Sequence, residues 1–209
     1  AVDAGETFLF AFEVEIGFLV GNQSYDKDGI RTAAIFYEMY AQLHQSGKSC
    51  HQHLDQLYRK YGYFNMNTSY FFCDPSSGKL AEIFKRLRNY PDTPSDAYPA
   101  TQHRYPTECG GVKITSVRDV TYGYDNSESE CKAALPTDAS SSMITFRFEN
   151  GCTATLRNSG TEPKLKYYIE SSGKTDEEAK ELTAKMSKAI IQQFIQPVEN
   201  QLEAPQVVA

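Results

Sequence analysis

Hydrophobic positions in the first part of the chain predict a short strand followed by two helices. Residues 7–12 have the apolar and aromatic composition of a strand. In residues 29–45 the apolar side chains recur at helical spacing on one face, and Asp28 is placed to cap the first turn. A second apolar stripe predicts a helix in residues 49–61, with a serine as its cap and Gly62 as its end.

The middle of the chain predicts one strand, one helix and a long connection. Residues 64–72 have an extended pattern, and residues 76–87 return to helical spacing. Residues 90–111 are rich in Pro, Asp, Thr and Ser. We therefore expect a long surface connection there, either partly disordered or with a role of its own.

Two further strands are joined by a tight turn. Residues 112–120 alternate between apolar and polar side chains, as a half-buried strand does. Residues 143–149 and 152–156 flank Asn150-Gly151, a dipeptide typical of a two-residue hairpin turn. These segments predict an antiparallel sheet.

A capped helix and a tail complete the pattern. Thr175 and Glu178 have the spacing of a capping box, and one apolar helical face continues from there as far as Pro197. The last dozen residues predict a loose tail. This order of elements predicts an α+β fold, in which helices pack on one face of the C-terminal antiparallel sheet.

Composition excludes several classes of partner. The net charge of −6 argues against nucleic acid or an anionic membrane as the main partner. The longest apolar run is far too short for a membrane span. Five cysteines without Cys-x-x-Cys spacing or a leader sequence indicate a reducing, cytoplasmic location.

The segment between the strand-like residues 152–156 and 167–169 has the composition of a phosphate-binding loop. Arginine offers a planar fork of donors, hydroxyls add further donors, glycine lets the backbone approach, and lysines add charge. The candidate residues are Arg157, Ser159, Gly160, Thr161, Lys164 and Lys166. A hairpin turn whose basic residues face water is the alternative, but a turn needs none of this chemistry beyond Gly and one hydroxyl. The Gly-Lys-Ser/Thr ending of a P-loop is missing, which favours a sugar phosphate over a nucleoside triphosphate.

A second candidate site follows the first strand. Glu13 and Glu15 are alternate residues, so their carboxylates point the same way and can accept hydrogen bonds from sugar hydroxyls. Alternating acids at the end of a strand are also commonly solvated, and both interpretations stay open on these residues alone.

No metal site and no catalytic residue are predicted. Residues 26–29 begin like a calcium loop, but Ile35 stands where that loop needs Glu. His51 and His53 lie on different faces of a predicted helix. Arg118 and Asp119 are interpreted as a salt-bridged turn, and Cys152 as a buried structural thiol.

The basic loop resembles the phosphate-binding loop in the last domain of the α-D-phosphohexomutases, Arg-x-Ser-Gly-Thr-Glu-Pro-Lys. Residues 8–168 are similar to the branch of that family that contains phosphopentomutase and glucose-1,6-bisphosphate synthase. The supporting landmarks are Phe10-Ala11-Phe12-Glu13, Ile16-Gly17, Asp26-Lys27-Asp28-Gly29, Arg118-Asp119, Gly123-Tyr124-Asp125 and Leu135-Pro136.

The resemblance implies two parts of a longer enzyme. Residues 67–209 are expected to be the fourth domain, which is similar to the TATA-binding-protein fold. Residues 1–66 are expected to be a C-terminal remnant of the third, α/β domain, exposing apolar surface or an unpaired strand edge. The family's phosphorylatable serine loop and aspartate-rich magnesium loop are not found, so the chain is interpreted as a C-terminal part of the enzyme that is inactive alone.

The resemblance also assigns roles to the candidate residues. Glu13 keeps the first acid of the family's sugar-binding loop, whereas Val14 and Glu15 depart from it, and Lys27 matches a lysine beside the sugar phosphate. The implied sugar-binding residues are Glu13, Glu15 and Lys27, with the preference for hexose or pentose left open.

The implied mechanism is intramolecular phosphoryl transfer from a phosphoserine. Arg157, Ser159, Thr161 and Lys166 would clamp the phosphate that is not transferred. Mg²⁺ is implied in the full-length enzyme, and glucose 1,6-bisphosphate as its activator or intermediate. The partners implied are a phosphosugar and the missing N-terminal domains. A glucose-1,6-bisphosphate synthase and a non-catalytic phosphosugar-binding fragment are the alternatives.

Overall fold

The computed structural model describes residues 7–14, 16–91 and 93–205. The chain divides into two compact units, Ala1–Tyr61 and Gly62–Ala209. The division lies before the expected boundary between residues 66 and 67, because one strand, β3 (Tyr63–Phe72), continues across that point. The assignment of the two parts to the third and fourth family domains stays a prediction.

Unit 1 contains a β-hairpin and two helices. Strands β1 (Phe10–Glu13) and β2 (Gly17–Val20) pair antiparallel. Helices α1 (Gly29–Gln45) and α2 (Cys50–Tyr61) follow. Asp28 Oδ1 accepts a hydrogen bond from Arg31 N at 2.9 Å, so the cap predicted for α1 is confirmed. At the start of α2, Ser49 N donates to Gln52 Oε1 at 2.9 Å, and Gln52 N donates to Ser49 Oγ at 3.1 Å. These two hydrogen bonds form a capping box.

Apolar side chains of unit 1 face solvent. Neither α1 nor α2 contains a buried residue. Exposed large apolar side chains on these helices include Phe36, Tyr37, Tyr40, Leu54 and Leu57. The expectation of an exposed apolar surface in this part of the chain is confirmed.

Unit 2 is built on an antiparallel sheet. The remaining strands are β4 (Glu108–Cys109), β5 (Val112–Asp119), β6 (Tyr124–Asp125), β7 (Met143–Phe148), β8 (Thr153–Asn158) and β9 (Lys164–Gly173). Their order is β3-β9-β8-β7-β5-β4, with β6 paired to β5. The predicted α+β class and antiparallel sheet are therefore confirmed.

The hairpin between β7 and β8 has a longer loop than the two-residue turn predicted. Gly151 N donates to Phe148 O at 3.0 Å, and Gly151 adopts a positive φ of 82°. Cys152 N donates to Asn150 Oδ1 at 3.1 Å, and Cys152 O accepts from Phe148 N at 2.9 Å. The glycine thus adds a bulge residue after the turn, which is a common hairpin form.

Two helices cover one face of the sheet. Helix α3 (Lys79–Arg88) begins later than Ser76, because Asp74 accepts hydrogen bonds from Ser76 in a preceding turn. Helix α4 (Asp176–Ile190) begins at the predicted Thr175 cap and changes to a π-helical turn over Ile191–Ile195. The helices and the sheet share one apolar core, which includes Ile83, Phe84, Leu87, Ile144, Phe146, Leu156, Leu165, Ile169, Met186, Ile190 and Phe194.

The described residues of the segment 90–111 run largely over the surface, as expected, but some of their aromatic side chains enter the core. Tyr105 is completely buried and Tyr98 is nearly so. Their hydroxyls donate to Asp119 Oδ2 at 3.0 Å and to Pro106 O at 2.8 Å. The aromatic rings can enter the core because both polar groups find partners there. The segment is therefore a surface connection that buried tyrosines anchor to the core.

The C-terminal segment is held as far as Glu203. Glu203 and Phe72 exchange two backbone hydrogen bonds of 2.8 and 3.0 Å at the outer edge of β3. This pairing gives partners to an edge strand that would otherwise present free backbone groups. The prediction of a loose tail was therefore wrong up to this residue.

Candidate functional site

The tip of the β8–β9 hairpin carries the predicted phosphate-binding residues. The strands extend further than the sequence indicated, so the loop itself is only residues 159–163. Arg157 on β8 and Lys166 on β9 are directly opposite each other in the sheet register. Opposed like charges are unfavourable in a sheet unless an anion compensates them.

Arg157 and Lys166 lie on the face of the sheet that carries no core. Their neighbours Leu156 and Leu165 are completely buried on the opposite face, and side chains alternate along a strand. Arg157 is exposed, and among the described residues its guanidinium has no hydrogen-bond or ion-pair partner. It is therefore available to a ligand.

The loop residues are open to an approaching group. A Cβ added at Gly160 would meet nothing within 4 Å. Ser159 N is engaged by Lys164 O at 2.9 Å. Within the part of the chain that the structure describes, the hydroxyls of Ser159 and Thr161 have no protein partner. Two donors and an accessible backbone thus lie beside Arg157.

Lys164 is occupied by contacts within the chain. Its Nζ lies 2.8 Å from Glu162 Oε1. The same atom lies 4.4 Å from the ring centre of Tyr70 and 4.9 Å from that of Phe72. Only 13% of the side chain is exposed. The predicted phosphate contact of Lys164 stays a prediction, and these partners favour a structural role for it.

The loop is fastened on both sides. Cys73 N donates to Pro163 O at 2.9 Å. Asn158 Oδ1 accepts from Ser142 N at 2.6 Å, and Asn158 N donates to Ser142 O at 3.0 Å. Sequence reasoning gave Asn158 no role, and only its place between Arg157 and Ser159 could have indicated one.

The second candidate site lies in unit 1. Glu13 ends β1 and pairs with Gly17. Lys27 Nζ lies 3.8 Å from Glu13 Oε2 and 3.3 Å from Asp26 Oδ1, with about half of Lys27 and Glu13 exposed. A Cβ at residue 17 would clash with the side chains of Glu13 and Lys27, so the glycine allows these two side chains to meet. Glu15 lies outside the described residues.

The Lys27 ammonium group and the carboxylates of Asp26 and Glu13 interact favourably in their charged forms. A hydrogen bond with Asp26 raises the pKa of Lys27, and the nearby Glu13 carboxylate adds to the effect. Hydrogen bonds from Lys27 lower the pKa of Asp26. A cavity of about 820 Å³ is lined by Glu13, Gly17, Lys27 and aromatic side chains of α1. Polar groups beside an apolar wall suit a sugar ester.

Asp119, Cys152 and His51 lie outside both candidate sites. Asp119 does not pair with its neighbour Arg118, because adjacent side chains of β5 point to opposite faces; its partner is Arg88. Cys152 is buried as expected, and burial raises the pKa of its thiol. His51 lies 3.7 Å from Asp55 on the surface of α2.

Residues 7–14, 16–91 and 93–205 offer neither a metal cluster nor a membrane-spanning helix. Those residues contain no group of three His, Cys, Asp or Glu side chains that could hold a metal ion. Across the same part of the chain, no helix combines the length and apolar character needed to cross a bilayer.

The chain is similar to a known domain family and to several known proteins. Residues 125–189, which include the whole β8–β9 hairpin, match the model of the family "Phosphoglucomutase/phosphomannomutase, C-terminal domain". The chain is 44% identical to human glucose 1,6-bisphosphate synthase, over 96% of this chain and 31% of that protein. It is 40% identical to human phosphopentomutase, over 97% of this chain and 32% of that protein.

A fungal relative extends the comparison. The probable phosphoribomutase of Schizosaccharomyces pombe is 38% identical, over 96% of this chain and 33% of that protein. The chain therefore spans about a third of the length of the curated relatives it matches. The matched domain and these relatives confirm the resemblance predicted from the sequence, because the chain matches the C-terminal part of the α-D-phosphohexomutase family.

Proposed function

We propose that this chain is the sugar-binding and phosphate-clamping part of a phosphoglucomutase-like or phosphopentomutase-like enzyme. That enzyme isomerises a sugar phosphate by intramolecular phosphoryl transfer. The observation that carries the proposal is the opposed pair Arg157 and Lys166 beside the accessible residues 159–161. Such an arrangement is suited to a dianion.

The clamp would hold the phosphate that is not being transferred. Arg157 can donate two parallel hydrogen bonds to phosphate oxygens, and Lys166 supplies a second charge from the opposite strand. The hydroxyls of Ser159 and Thr161 and the backbone at Gly160 can donate to the remaining oxygens. Phosphoryl transfer depends mainly on positioning and charge stabilisation, so a fixed clamp contributes by orienting the substrate.

We propose that Glu13, Glu15 and Lys27 contact the sugar. The Glu13 carboxylate can accept hydrogen bonds from hydroxyl groups, and Lys27 can approach an ester oxygen. The cavity that Glu13 and Lys27 line supports this role for those two residues. Hydroxyl recognition by carboxylates does not itself discriminate a hexose from a pentose.

Cofactors belong to the proposal for the longer enzyme. We infer a requirement for Mg²⁺, which stabilises developing charge on phosphoryl groups when it is bound. The described residues provide no three-ligand cluster for a metal. Glucose 1,6-bisphosphate is proposed as activator or intermediate, and this chain alone is proposed to bind the ligand without turnover. A cytoplasmic location is part of the same proposal.

A bisphosphate synthase is the second candidate. The identity to glucose 1,6-bisphosphate synthase is 44% and that to phosphopentomutase is 40%. A synthase would keep the same clamp and use a different phosphoryl donor. The longer protein could be assigned by testing which donor and which sugar phosphate it consumes.

Calorimetric titration with glucose 1,6-bisphosphate tests the clamp directly. We expect the 209-residue chain to bind, and Arg157→Ala to weaken binding by roughly 10- to 100-fold, as for loss of charge-assisted hydrogen bonds. Arg59→Ala, which removes an exposed arginine of α2, is the matched control. Unchanged affinity in Arg157→Ala would contradict the proposal.

A further inference from the structure

A hydrogen-bonded network connects a buried ion pair to the base of the phosphate loop. It starts at Arg88, the last residue of α3, and Asp119, the last residue of β5. Arg88 Nε donates to Asp119 Oδ2 at 2.6 Å, and Nη2 donates to Oδ1 at 3.2 Å. Asp119 is fully buried and also accepts from the Tyr105 hydroxyl. Burial raises the pKa of Tyr105, so this hydroxyl remains a donor.

Thr121 is the next member of the network. Its hydroxyl accepts from Arg88 Nη2 at 2.9 Å and from Met143 N at 3.2 Å. It donates to Ser141 O at 3.0 Å. Met143 is the first residue of β7 and is directly opposite Arg157. One hydroxyl therefore fixes the start of the strand beside the phosphate-site arginine.

Asn158 connects this segment to the loop. Its Oδ1 accepts from Ser142 N at 2.6 Å and lies 3.4 Å from Ser141 Oγ. Its backbone N donates to Ser142 O at 3.0 Å. Ser159, the first loop residue, follows at once. The contacts are thus continuous from the core to the loop.

We infer that Thr121, held by the Arg88–Asp119 pair, is a positioning residue of the phosphate site. This inference rests on the proposed function, namely that the loop binds phosphate. A buried, fully paired charge network has little freedom to rearrange, because any shift leaves a desolvated polar group without a partner. Several donors must hold their places to within about 0.5 Å to bind one phosphate well. The network supplies that rigidity to an exposed loop.

The test compares two substitutions of one hydroxyl. Thr121→Val keeps the shape of the side chain and removes the three hydrogen bonds, whereas Thr121→Ser keeps them. The control is Thr183→Val, which removes another buried hydroxyl, one that donates to Ala179 O and Asn65 O. Affinities for inorganic phosphate and glucose 1,6-bisphosphate are measured by calorimetry at a temperature where each variant is folded by circular dichroism.

The expected result separates positioning from stability. Thr121→Val should bind both ligands about tenfold more weakly, because tenfold corresponds to the net contribution of about one to two hydrogen bonds. Thr121→Ser should bind within twofold of the unchanged chain, and Thr183→Val should melt earlier yet keep its affinity. Amide resonances of residues 159–162 should shift in Thr121→Val alone.

Other results would overturn the inference in recognisable ways. The positioning role is overturned if Thr121→Val keeps its affinity, or if Thr183→Val loses as much affinity as Thr121→Val. In either case the proposed function still holds if binding depends on Arg157. Absence of binding by the unchanged chain, or binding insensitive to Arg157→Ala, removes the proposed phosphate site and this inference with it.

Discussion

Arg157 and Lys166 occupy directly opposed positions on β8 and β9, on the sheet face that carries no core. Opposed like charges destabilise a sheet by up to about 1 kcal/mol. A dianion bound between the two side chains would offset this repulsion and make two favourable contacts. Sites that bind anions commonly trade stability for function in this way.

Arg157→Gln should separate stability from binding. The substitution keeps much of the side-chain length and removes the charge that faces Lys166. We expect the free energy of unfolding to stay equal or rise by up to about 1 kcal/mol, while phosphate affinity falls at least tenfold. Urea denaturation and calorimetry measure the two quantities. Lys113→Gln, on an exposed position of β5, is the control, and a clear loss of stability in Arg157→Gln would argue that the arginine is structural.

Lys164→Met and Lys166→Met should have different effects. Lys164 contacts Glu162, Tyr70 and Phe72 and is only 13% exposed. A methionine there keeps the apolar stem against the rings but loses the ion pair. We expect Lys164→Met to lower the melting temperature and to change affinity by less than about threefold, while Lys166→Met weakens binding about tenfold. If Lys164→Met and Lys166→Met lost affinity equally, the result would indicate that Lys164 also contacts the phosphate.

Signals confined to a few residues predicted the elements well. Asp28 and Thr175 accept hydrogen bonds from amides three residues ahead, so the caps of α1 and α4 could be recognised from the sequence. The antiparallel sheet and the basic loop were recognisable for the same reason, since alternation and loop composition are local. The strand bounds were less accurate, because pairing between β8 and β9 extends both strands toward the tip.

Contacts between distant segments could not be predicted in this way. Tyr70 contacts Lys164 only because β3 pairs with β9, and no sequence signal indicates that pairing. Tyr105 lies in a segment of polar composition and is nevertheless completely buried, because its hydroxyl is bound by Asp119. The composition of the candidate site was thus accessible from the sequence, whereas the contacts of Lys164 with rings on β3 were not.

Asp119→Asn should destabilise unit 2 strongly. The change keeps the shape of the side chain and leaves the buried Arg88 guanidinium without a counter-charge, which costs roughly 3–5 kcal/mol in buried pairs. Chemical denaturation measures the loss. Adding Arg88→Met should recover part of it, since the unpaired charge is then gone.

An exposed ion pair provides the comparison for Asp119→Asn. Lys132 and Glu130 are 3.0 Å apart, and about three quarters of each side chain is exposed. Glu130→Gln should change stability by less than about 1 kcal/mol. A small effect of Asp119→Asn, similar to that of Glu130→Gln, would show that the buried network is not rigid.

His103 should make stability depend on pH. Burial lowers its pKa below the ordinary value of 6.5, with Arg88 contributing in the same direction and Asp119 opposing it. The folded state therefore binds the proton less readily than the unfolded state. Its contribution to stability is present above pH 6.5 and is lost as the pH falls through the folded pKa.

The His103 ring contacts allow this contribution to be isolated. The imidazole packs 4.4 Å from the ring centre of Tyr122 and 5.9 Å from that of Tyr105, so a phenyl ring can take its place. We expect the unchanged chain to lose more stability than His103→Phe between pH 7.5 and pH 5, because carboxylates titrate equally in both. Melting curves at the two pH values measure the difference. An NMR titration that gave His103 a pKa above 6.5 would reverse the sign, since the Asp119 carboxylate would then dominate over burial.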